Sequence, residues 1–531
     1  MFWRCAQVSP LTGGQKDTQP PKLVEAIPLN AAINFSGKTI ELKFDEFVQV
    51  KDVANQLVVT PQPKEMPSVE ANGKKITVKF EEDLIPSTTY RLFFGGAIAD
   101  MHEANVLSGF EYVFSTGNFI DSLFMTGTVK NATNLKPEKD VTVGLYDKSE
   151  SDSVVFKKKP MYITKSTDAG TYKLSYLPKS SFKIFAFTDK NKNLMYDGGE
   201  EQVAFNNLQV TTAIDTLVNL KVFKEEGTKV FIKKSNSPFY GVAYVVYNKE
   251  QNNVVSTYNT DQNKDINVSN GINDTCIIYY RNIFDTLKVL IKHPEQEMTD
   301  SVSILIQAKD KFDKLKNEKK HYLMIDLKPT AGNRLDYFAS PDLVFNNWMD
   351  DSIFDASKMI LMYKTDSLIK TVLEISKNSN NAFSVKNKLL PNTNYDILLK
   401  KGAFKTVMGI ESDSVKISFK TTEPSDYAVS NLKLLLPKKE NYIVQLVSDK
   451  EIIVAEQYIE MSLTTSAEQH IKFKNLMPGN YFVKVIEDKN QNKKWDTGSI
   501  LNQKQPELIY FNAQIIKLLA DWDSETEWKV E

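Results

Sequence analysis

The sequence predicts an all-β chain, built as an elongated series of tandem β-sandwich modules. Short segments such as residues 39–44 (TIELKF) and 75–80 (KITVKF) alternate apolar and polar side chains, which is the pattern of half-buried strands. Aromatic residues make up 11% of the chain, with 30 Phe and 22 Tyr, and such residues favour strands. The chain has 531 residues, which at roughly 100–200 residues per domain suggests about three to five domains.

The composition excludes several classes of function. The chain has 66 basic and 67 acidic residues, so its charge gives no reason to expect a nucleic-acid partner. It contains no run of 18 apolar residues, which a membrane-spanning helix would need. Its two cysteines, Cys5 and Cys276, are too few for a disulfide framework or a zinc cluster. Cys276 lies in a strand-like apolar run, which indicates a buried thiol.

One pattern occurs twice, 305 positions apart. Residues 85–90 (IPSTTY) match residues 390–395 (LPNTNY), and residues 114–116 match residues 419–421. Together with the strand at 40–44, the first copy resembles the SbsA-type bacterial Ig-like domain. This resemblance implies Ig-like sandwiches at residues 23–117 (module 1) and 331–423 (module 4).

A second type of module also occurs twice. In residues 118–223 (module 2), a turn at residues 167–170 (TDAG) precedes strands rich in Tyr and Phe. The succession resembles the carboxypeptidase-regulatory, transthyretin-like β-sandwich, and residues 424–520 (module 5) end in a similar way. Residues 224–330 (module 3) read as a further β-rich module of unknown type. Residues 1–22 read as a tether and residues 521–531 as a C-terminal tail.

The strongest site candidates are two loops rich in Asp and Asn, one in each transthyretin-like module. Counted over twelve positions from its first aspartate, loop 1 covers residues 189–200 and loop 2 covers residues 488–499. Oxygen-bearing side chains at alternate positions resemble the spacing of an EF-hand-like Ca²⁺ loop. The candidate ligands are Asp189, Asn191, Asn193, Asp197 and Glu200 in loop 1, and Asp488, Asn490, Asn492 and Asp496 in loop 2.

Each loop departs from the Ca²⁺ pattern. Leu194 and Lys493 replace the glycine of the sharp turn, and Ser499 stands where loop 2 would need a bidentate acid. The alternative is a long hairpin whose Asp and Asn side chains cap their own backbone. Trp495 beside loop 2 could stack on a sugar or cover the apolar floor of the loop, as Tyr196 would in loop 1.

Cys5 is a candidate lipidation residue. It follows the apolar pair Phe2 and Trp3 and precedes a polar linker, which resembles the end of a bacterial lipoprotein signal, although Arg4 stands where a small residue is usual. The resemblance implies a lipid anchor in a membrane of the cell envelope. The alternative is an ordinary cysteine in an N-terminal tether.

Catalytic signatures are missing from the sequence. The four histidines are dispersed, and neither a zinc-binding H-E-x-x-H, a G-x-S-x-G elbow nor a phosphate-binding glycine loop occurs. The series of modules behind Cys5 resembles multidomain envelope lipoproteins of Bacteroidota-type bacteria. That resemblance implies a non-catalytic scaffold or accessory subunit with a protein partner in an outer-membrane assembly. The alternative is a surface protein that binds or processes glycans.

Overall fold

The computed structural model of the protein describes residues 17–226, 230–248, 254–258, 260–270, 274–293, 298–306, 310, 323–328, 333–379, 381–437, 440–461 and 467–531. The regular structure in these ranges consists mostly of strands arranged in many small sheets. The predicted fold class, an elongated all-β array of sandwich modules, is confirmed. No helix in the described ranges is long and apolar enough to span a membrane. Cys5 lies outside the described residues.

Module 1 consists of two main sheets packed face to face and a two-stranded sheet formed by β3 and β8. Its elements are β1 (Leu23–Ile27), β2 (Thr39–Phe44), β3 (Val48–Val50), α1 (Val53–Gln56), β4 (Val58–Thr60), β5 (Ser68–Asn72), β6 (Lys75–Lys79), β7 (Thr89–Phe93), β8 (Ile98–Asp100) and β9 (Glu111–Ser115). One sheet has the order β1-β2-β6-β5 and the other β4-β7-β9. Alternate side chains of β2 and β6 are fully buried, among them Ile40 and Val78, because one face of each strand lines the core.

Module 2 is a second sandwich. Its elements are β10 (Leu123–Asn131), β11 (Thr142–Asp147), a 3-10 helix (Asp152–Phe156), β12 (Tyr162–Lys165), β13 (Thr171–Leu177), β14 (Ser181–Phe187), β15 (Val203–Phe205), β16 (Val210–Thr211), β17 (Thr216–Leu217) and β18 (Leu220–Val222). One sheet is β13-β10-β17, to which β18 adds on β10. The other is β12-β11-β14-β15, with β16 also pairing with β14.

Modules 3 and 4 share one continuous core. Module 3 contains β19 (Ile232–Phe239), β20 (Val242–Tyr247), β21 (Val254–Thr257), a 3-10 helix (Thr260–Asp265), β22 (Ile266–Asn270), β23 (Thr275–Tyr280), β24 (Thr286–His293) and β25 (Met298–Leu305). Module 4 contains β26 (Ile325–Lys328), β27 (Arg334–Leu335), β28 (Asp342–Phe345), β29 (Met349–Phe354), a 3-10 helix (Ala356–Lys358), β30 (Met359–Lys364), β31 (Leu368–Val372), β32 (Ile375–Ser379), β33 (Ala382–Val385), β34 (Asn394–Leu399), β35 (Phe404–Thr406) and β36 (Val415–Thr421).

Module 5 has the same two-sheet plan as module 2. A 3-10 helix (Pro424–Asp426) precedes β37 (Ala428–Leu435), β38 (Asn441–Ser448), β39 (Ile453–Ile459), β40 (Glu468–Leu476), β41 (Gly479–Asp488), β42 (Ile509–Leu518) and β43 (Asp523–Lys529). The sheets are β40-β37-β43 and β39-β38-β41-β42. In each module the loop rich in Asp and Asn follows the corresponding strand, β14 in module 2 and β41 in module 5.

Two of the predicted module boundaries need correction. β26, assigned from the sequence to module 3, pairs with β28 just as β1 pairs with β2, so module 4 begins by residue 325 rather than 331. Residues 521–531 do not form a separate tail, because β43 pairs in parallel with β37 along its whole length. Val530 is buried in the core of module 5, which therefore extends to the end of the chain.

Modules 1 and 4 share a hydrogen-bonding detail at the matched positions. The Tyr90 hydroxyl accepts from the Ile85 N–H at 2.9 Å, and the Tyr395 hydroxyl accepts from the Leu390 N–H at 2.7 Å. Each tyrosine ring also stacks on a phenylalanine of the last strand, with ring centroids 5.3 and 5.4 Å apart. The 305-residue repeat therefore reflects one corner geometry used twice.

Candidate functional site

Loop 1 is held together by hydrogen bonds among its own residues. The Asp189 carboxylate accepts from the backbone N–H groups of Asn193 and Leu194, both at 3.0 Å. The amides of Asn191 and Asn193 each donate to Asp197 Oδ2 at 2.7 Å. The four side chains predicted as alternate ligands are thus brought together, and their oxygens and amides are engaged with one another and with the loop backbone.

Loop 2 repeats this arrangement. The buried Asp488 carboxylate accepts from the N–H groups of Asn492 at 3.2 Å and Lys493 at 2.9 Å. The Asn490 amide donates to Asp496, and the Asn492 amide donates to Asp496 Oδ1 at 3.1 Å. Residues 299 positions apart therefore make equivalent hydrogen bonds, which means that the loop geometry as well as the sequence is duplicated.

A buried glutamate that the sequence analysis missed completes each loop. Glu201 accepts from the N–H groups of Lys190 and Asp197, both at 2.9 Å. Glu507 accepts from the N–H groups of Lys489 at 2.9 Å and Asp496 at 3.0 Å. Each glutamate joins the two ends of its loop and is about 5% exposed or less. Its signal in the sequence is a glutamate two positions before the strand that follows the loop.

The predicted ligand Glu200 is placed elsewhere. Its side chain is 78% exposed and forms an ion pair with Lys224 at 2.9 Å, whereas its neighbour Glu201 faces the loop. The Lys224 ammonium lowers the pKa of Glu200. Ser499, the corresponding position of loop 2, uses its backbone to pair with Lys504. The twelfth position of the EF-hand pattern therefore supplies no carboxylate to either loop.

In each loop the buried glutamate binds two backbone N–H groups and so fixes the loop backbone. Burial raises the pKa of Glu507, and the nearby charges of Asp496 and Asp488 add to this effect, while its two N–H donors oppose it. Within the described part of the chain, no three His, Cys, Asp or Glu side chains are grouped to hold a metal ion. Calcium binding by either loop stays a prediction, and a bound ion would have to displace the amide donors that now contact Asp197 and Asp496.

The two loops differ in the segment between the last aspartate and the clamping glutamate. Glu201 follows Asp197 by four positions, whereas Glu507 follows Asp496 by eleven. The seven additional residues of loop 2 fall within a docking hairpin (residues 497–505). Ser499 and Lys504 exchange backbone hydrogen bonds at 2.7 and 2.9 Å, and the Gln503 N–H donates to the Ile500 carbonyl at 3.0 Å.

The docking hairpin inserts an apolar side chain into module 2. Ile500 is fully buried in a cluster on the outer face of the β12-β11-β14-β15 sheet. The cluster members from module 2 are Ala132, Tyr146, Val154, Val155, Phe185, Phe187, Tyr196, Val203, Phe205 and Phe223. Trp495 is half-buried and packs both on this cluster and on the outer apolar residues of module 5. This contact joins modules about 300 residues apart in the chain and is not apparent from the sequence.

Polar groups surround the buried isoleucine. The Thr497 hydroxyl donates to the Lys224 carbonyl at 2.6 Å, and the Ile500 N–H donates to Glu225 Oε1 at 2.7 Å. Both acceptors belong to the segment through which the chain leaves module 2. The Gln503 amide donates to Asp152, so the hairpin also reaches the 3-10 helix of module 2.

The remaining contacts come from the end of the hairpin and from its glycine. The Gln505 amide donates to the Phe205 carbonyl at 2.9 Å and to Asn207 Oδ1 at 2.7 Å. A Cβ atom on Gly498 would lie 2.5 Å from Phe223 Cζ, so only glycine fits at this approach. The interface is therefore closely packed as well as hydrogen-bonded.

Four further side chains of types that often bind ligands or react, Cys276, Trp348, Tyr196 and His470, have structural surroundings. Cys276 is 3% exposed, and burial raises its pKa to about 12, which disfavours the reactive thiolate. Trp348 is half-buried, with the Arg281 guanidinium 5.8 Å from its ring centre. Tyr196 is fully buried beneath loop 1, as expected for a residue of the loop floor. His470 lies on an exposed strand beside Glu468, at 3.0 Å.

Comparison with known proteins identifies one module. Residues 17–116 match the family described as bacterial Ig-like domain, which agrees with the resemblance seen in module 1. Across most of its length the chain is similar to domains 1–6 of the surface layer protein SbsC, at 11% identity over 91% of this chain and 67% of that chain, with a TM-score of 0.14. It is also similar to BcpA, the major pilin subunit of Bacillus cereus, at 10% identity over 77% of this chain and 99% of that chain, with a TM-score of 0.14. No curated protein matches the chain.

Proposed function

We propose that the chain is a non-catalytic structural protein of the bacterial cell envelope. The observation that carries this proposal is that the two acidic loops have a structural role. Their carboxylates accept hydrogen bonds from backbone N–H groups and from asparagine amides of the same loop, and the longer loop packs module 5 onto module 2 through Ile500. The match of module 1 to bacterial Ig-like domains supports the same class of protein.

The contact between modules 2 and 5 gives such a scaffold a defined geometry. Because the docking hairpin holds Lys224 and Glu225, it restrains the chain where module 3 begins. Modules 3 and 4, which share one core, lie along the chain between the two joined modules, so the docking restrains both ends of this segment. Exposed sheet edges and loops in such a segment suit the binding of a protein partner.

We propose that the chain is localised at the outer membrane and is anchored there by a lipid on Cys5. A protein partner in an outer-membrane assembly would bind modules 3 and 4, and the membrane face on which this occurs is left open. One lipidated cysteine can hold a folded body at a membrane without a spanning helix, particularly with a second membrane or protein contact.

The anchor is tested by metabolic labelling of cells with an alkyne fatty acid, followed by fractionation. We expect the wild-type chain to be labelled and to sediment with outer membranes, and Cys5→Ser to lose both properties. Cys276→Ser is the matched control, because Cys276 is buried in module 3 and should leave the labelling unchanged. Equal labelling of the Cys5→Ser variant would contradict the anchor.

The scaffold is tested by cross-linking in intact cells and identification of the partner. Recovery of an integral outer-membrane protein, lost when modules 3 and 4 are deleted, is the expected result. Capture on a glycan array with no recovered protein partner would favour the glycan-binding alternative. Hydrolysis of an envelope polymer by the purified chain would contradict the non-catalytic assignment.

A further inference from the structure

The outer faces of the equivalent sheets in modules 2 and 5 are covered differently. In module 2 the connection from β11 to β12 contains the 3-10 helix Asp152–Phe156, whose Val154 and Val155 are buried on the sheet. Asp152 of this helix forms an ion pair with Lys183 of β14 at 2.6 Å. The helix therefore supplies both apolar cover and a negative charge to that face.

Module 5 lacks this cover. Its connection from β38 to β39 is a tight turn, residues 449–452, closed by the Ser448 N–H donating to the Ile452 carbonyl at 2.9 Å. In module 2, Tyr146 of β11 pairs with Lys183 of β14. At the equivalent positions of module 5, Val447 of β38 pairs with Phe482 of β41. The apolar side chain of Phe482 therefore occupies the position at which module 2 has Lys183, the residue that forms an ion pair with the 3-10 helix.

The uncovered area forms a groove of about 400 Å³ between modules 5 and 2, which we call the Phe482 groove. Its apolar lining is Val447, Ile453, Phe482 and Phe511, and Thr133, Asn134 and Lys136 of module 2 form the opposite rim. The polar residues of module 5 in the lining are Ser448, Asp449, Glu451 and Lys484. The rings of Phe482 and Phe511 stack with centroids 5.5 Å apart and planes inclined by 29°. Ligand sites have volumes from about 300 to 1,000 Å³, are mostly apolar and often lie between domains.

The groove lining contains the cations Lys136 and Lys484 and the carboxylates Asp449 and Glu451, and among the described residues Lys484 forms no ion pair. Lys484 is half-buried, and burial lowers its pKa, an effect that the charge of Glu451 partly opposes. Glu451 itself is paired with Lys136 across the rim. In the part of the chain that the structure describes, no carboxylate lies within 4.0 Å of the Lys484 ammonium, so a bound anion would gain an unshared partner in a poorly hydrated place.

We propose that the Phe482 groove binds a small amphipathic anion with an aromatic body, which lies on the stacked phenylalanines and pairs its anionic group with Lys484. The aromatic body replaces the cover that Val154 and Val155 provide in module 2. The anion replaces the charge of Asp152. This site is independent of the envelope scaffold role, and neither assignment requires the other.

The test uses the full chain with Cys5→Ser and two fluorescent probes of matched shape. 8-Anilinonaphthalene-1-sulfonate carries an aromatic body and an anionic group, and N-phenyl-1-naphthylamine has the same body without the sulfonate. We expect the sulfonate to bind at one saturable site. Lys484→Met should weaken that binding about tenfold, which is the effect of losing about 1.4 kcal/mol. The neutral probe should bind more weakly and respond little to the same substitution.

Further variants distinguish the groove from other apolar surface. Phe482→Ser and Phe511→Leu should each weaken binding of both probes, whereas Ile214→Ser, at a residue 75% exposed on module 2, should change neither. Far-ultraviolet circular dichroism and the melting temperature establish that each variant is folded. Binding of the sulfonate with unchanged affinity by folded Lys484→Met, or equal binding of both probes by the wild type, would overturn the proposal. Failure of the wild-type chain to bind the sulfonate would overturn it as well.

Discussion

Loop 1 and loop 2 share a hydrogen-bonding frame and differ in what lies beyond it. In both, an aspartate accepts two backbone N–H groups and a buried glutamate joins the ends of the loop. Loop 1 closes four positions after its last aspartate and lines an open cleft of about 310 Å³ facing module 1. Loop 2 inserts seven more residues and docks them on module 2. The acidic motif therefore builds a stable frame, and the insertion within it creates the interaction.

The largest expected effect comes from removing the buried anchor of loop 2. Ile500→Ala leaves a cavity in the cluster of module 2, and such changes cost about 2–5 kcal/mol. Native-state hydrogen exchange should therefore show the backbone amides of Ser499 and Lys504 exchanging about 30-fold faster or more.

Leu501 provides the matched control for this variant. It follows Ile500 directly but is 69% exposed, so Leu501→Ala should leave the exchange of the hairpin amides unchanged. Equal exchange in Ile500→Ala and the wild type would mean that the hairpin does not depend on its buried residue.

The glycines after the last aspartates should respond differently to the same substitution. Gly498→Ala forces a Cβ atom against Phe223, and overpacking of this kind costs about 1–3 kcal/mol. Gly198→Ala meets no atom within 4 Å, but its φ of +71° makes alanine unfavourable by about 1–2 kcal/mol. Hydrogen exchange should show loosening of the docking hairpin in Gly498→Ala, and only local change in loop 1 in Gly198→Ala. Loosening of the docking hairpin by Gly198→Ala would contradict the difference drawn between the loops.

The clamping glutamates should behave alike. Glu201→Gln and Glu507→Gln each leave one acceptor for two backbone N–H donors, which costs about 1–3 kcal/mol for the unsatisfied buried group. Each variant should increase amide exchange in its own loop by a similar factor. A large effect in one loop and none in the other would show that the shared frame stabilises only one of the two copies.

The smallest effect is a dependence of docking on pH. Hydrogen bonding from Lys183 lowers the pKa of Asp152 below its ordinary value of 3.8, and Gln503 of the docking hairpin donates to the same carboxylate. Its contribution to stability is therefore present above about pH 4 and is lost as the pH falls through the lowered pKa. Hairpin exchange, corrected for its intrinsic pH dependence, should increase in that range, and Asp152→Asn should remove this increase.

Much of the local structure could be predicted from sequence because it depends on neighbouring residues. The alternation in β2 and β6 placed Ile40 and Val78 in the core, and the matched tyrosines marked the corners of modules 1 and 4. The side chains of loop 1 and loop 2 also come together as their spacing predicted. Local patterns of this kind act over a few residues and can be recognised without knowing the rest of the fold.

The contacts that require the whole fold could not be predicted. Ile500 looks in the sequence like any apolar residue of a turn, and its burial depends on an aromatic cluster that begins more than 300 positions earlier. Glu200 was chosen over Glu201 by counting positions, whereas the path of the backbone decides which of two adjacent carboxylates faces the loop. β43 was read as a tail because its parallel partner β37 is distant in sequence.

Cross-linking between modules 2 and 5 tests the central claim most directly. Asn207 and Gln505 contact each other across the interface, so Asn207→Cys with Gln505→Cys, in a chain carrying Cys5→Ser and Cys276→Ala, should react with a short bismaleimide to give a closed loop of chain. We expect this product to show altered mobility on a denaturing gel and to be lost when Ile500→Asp is added. Single-cysteine chains control for attachment at one end. Absence of the closed product from the folded double-cysteine chain would contradict the docking of loop 2 on module 2.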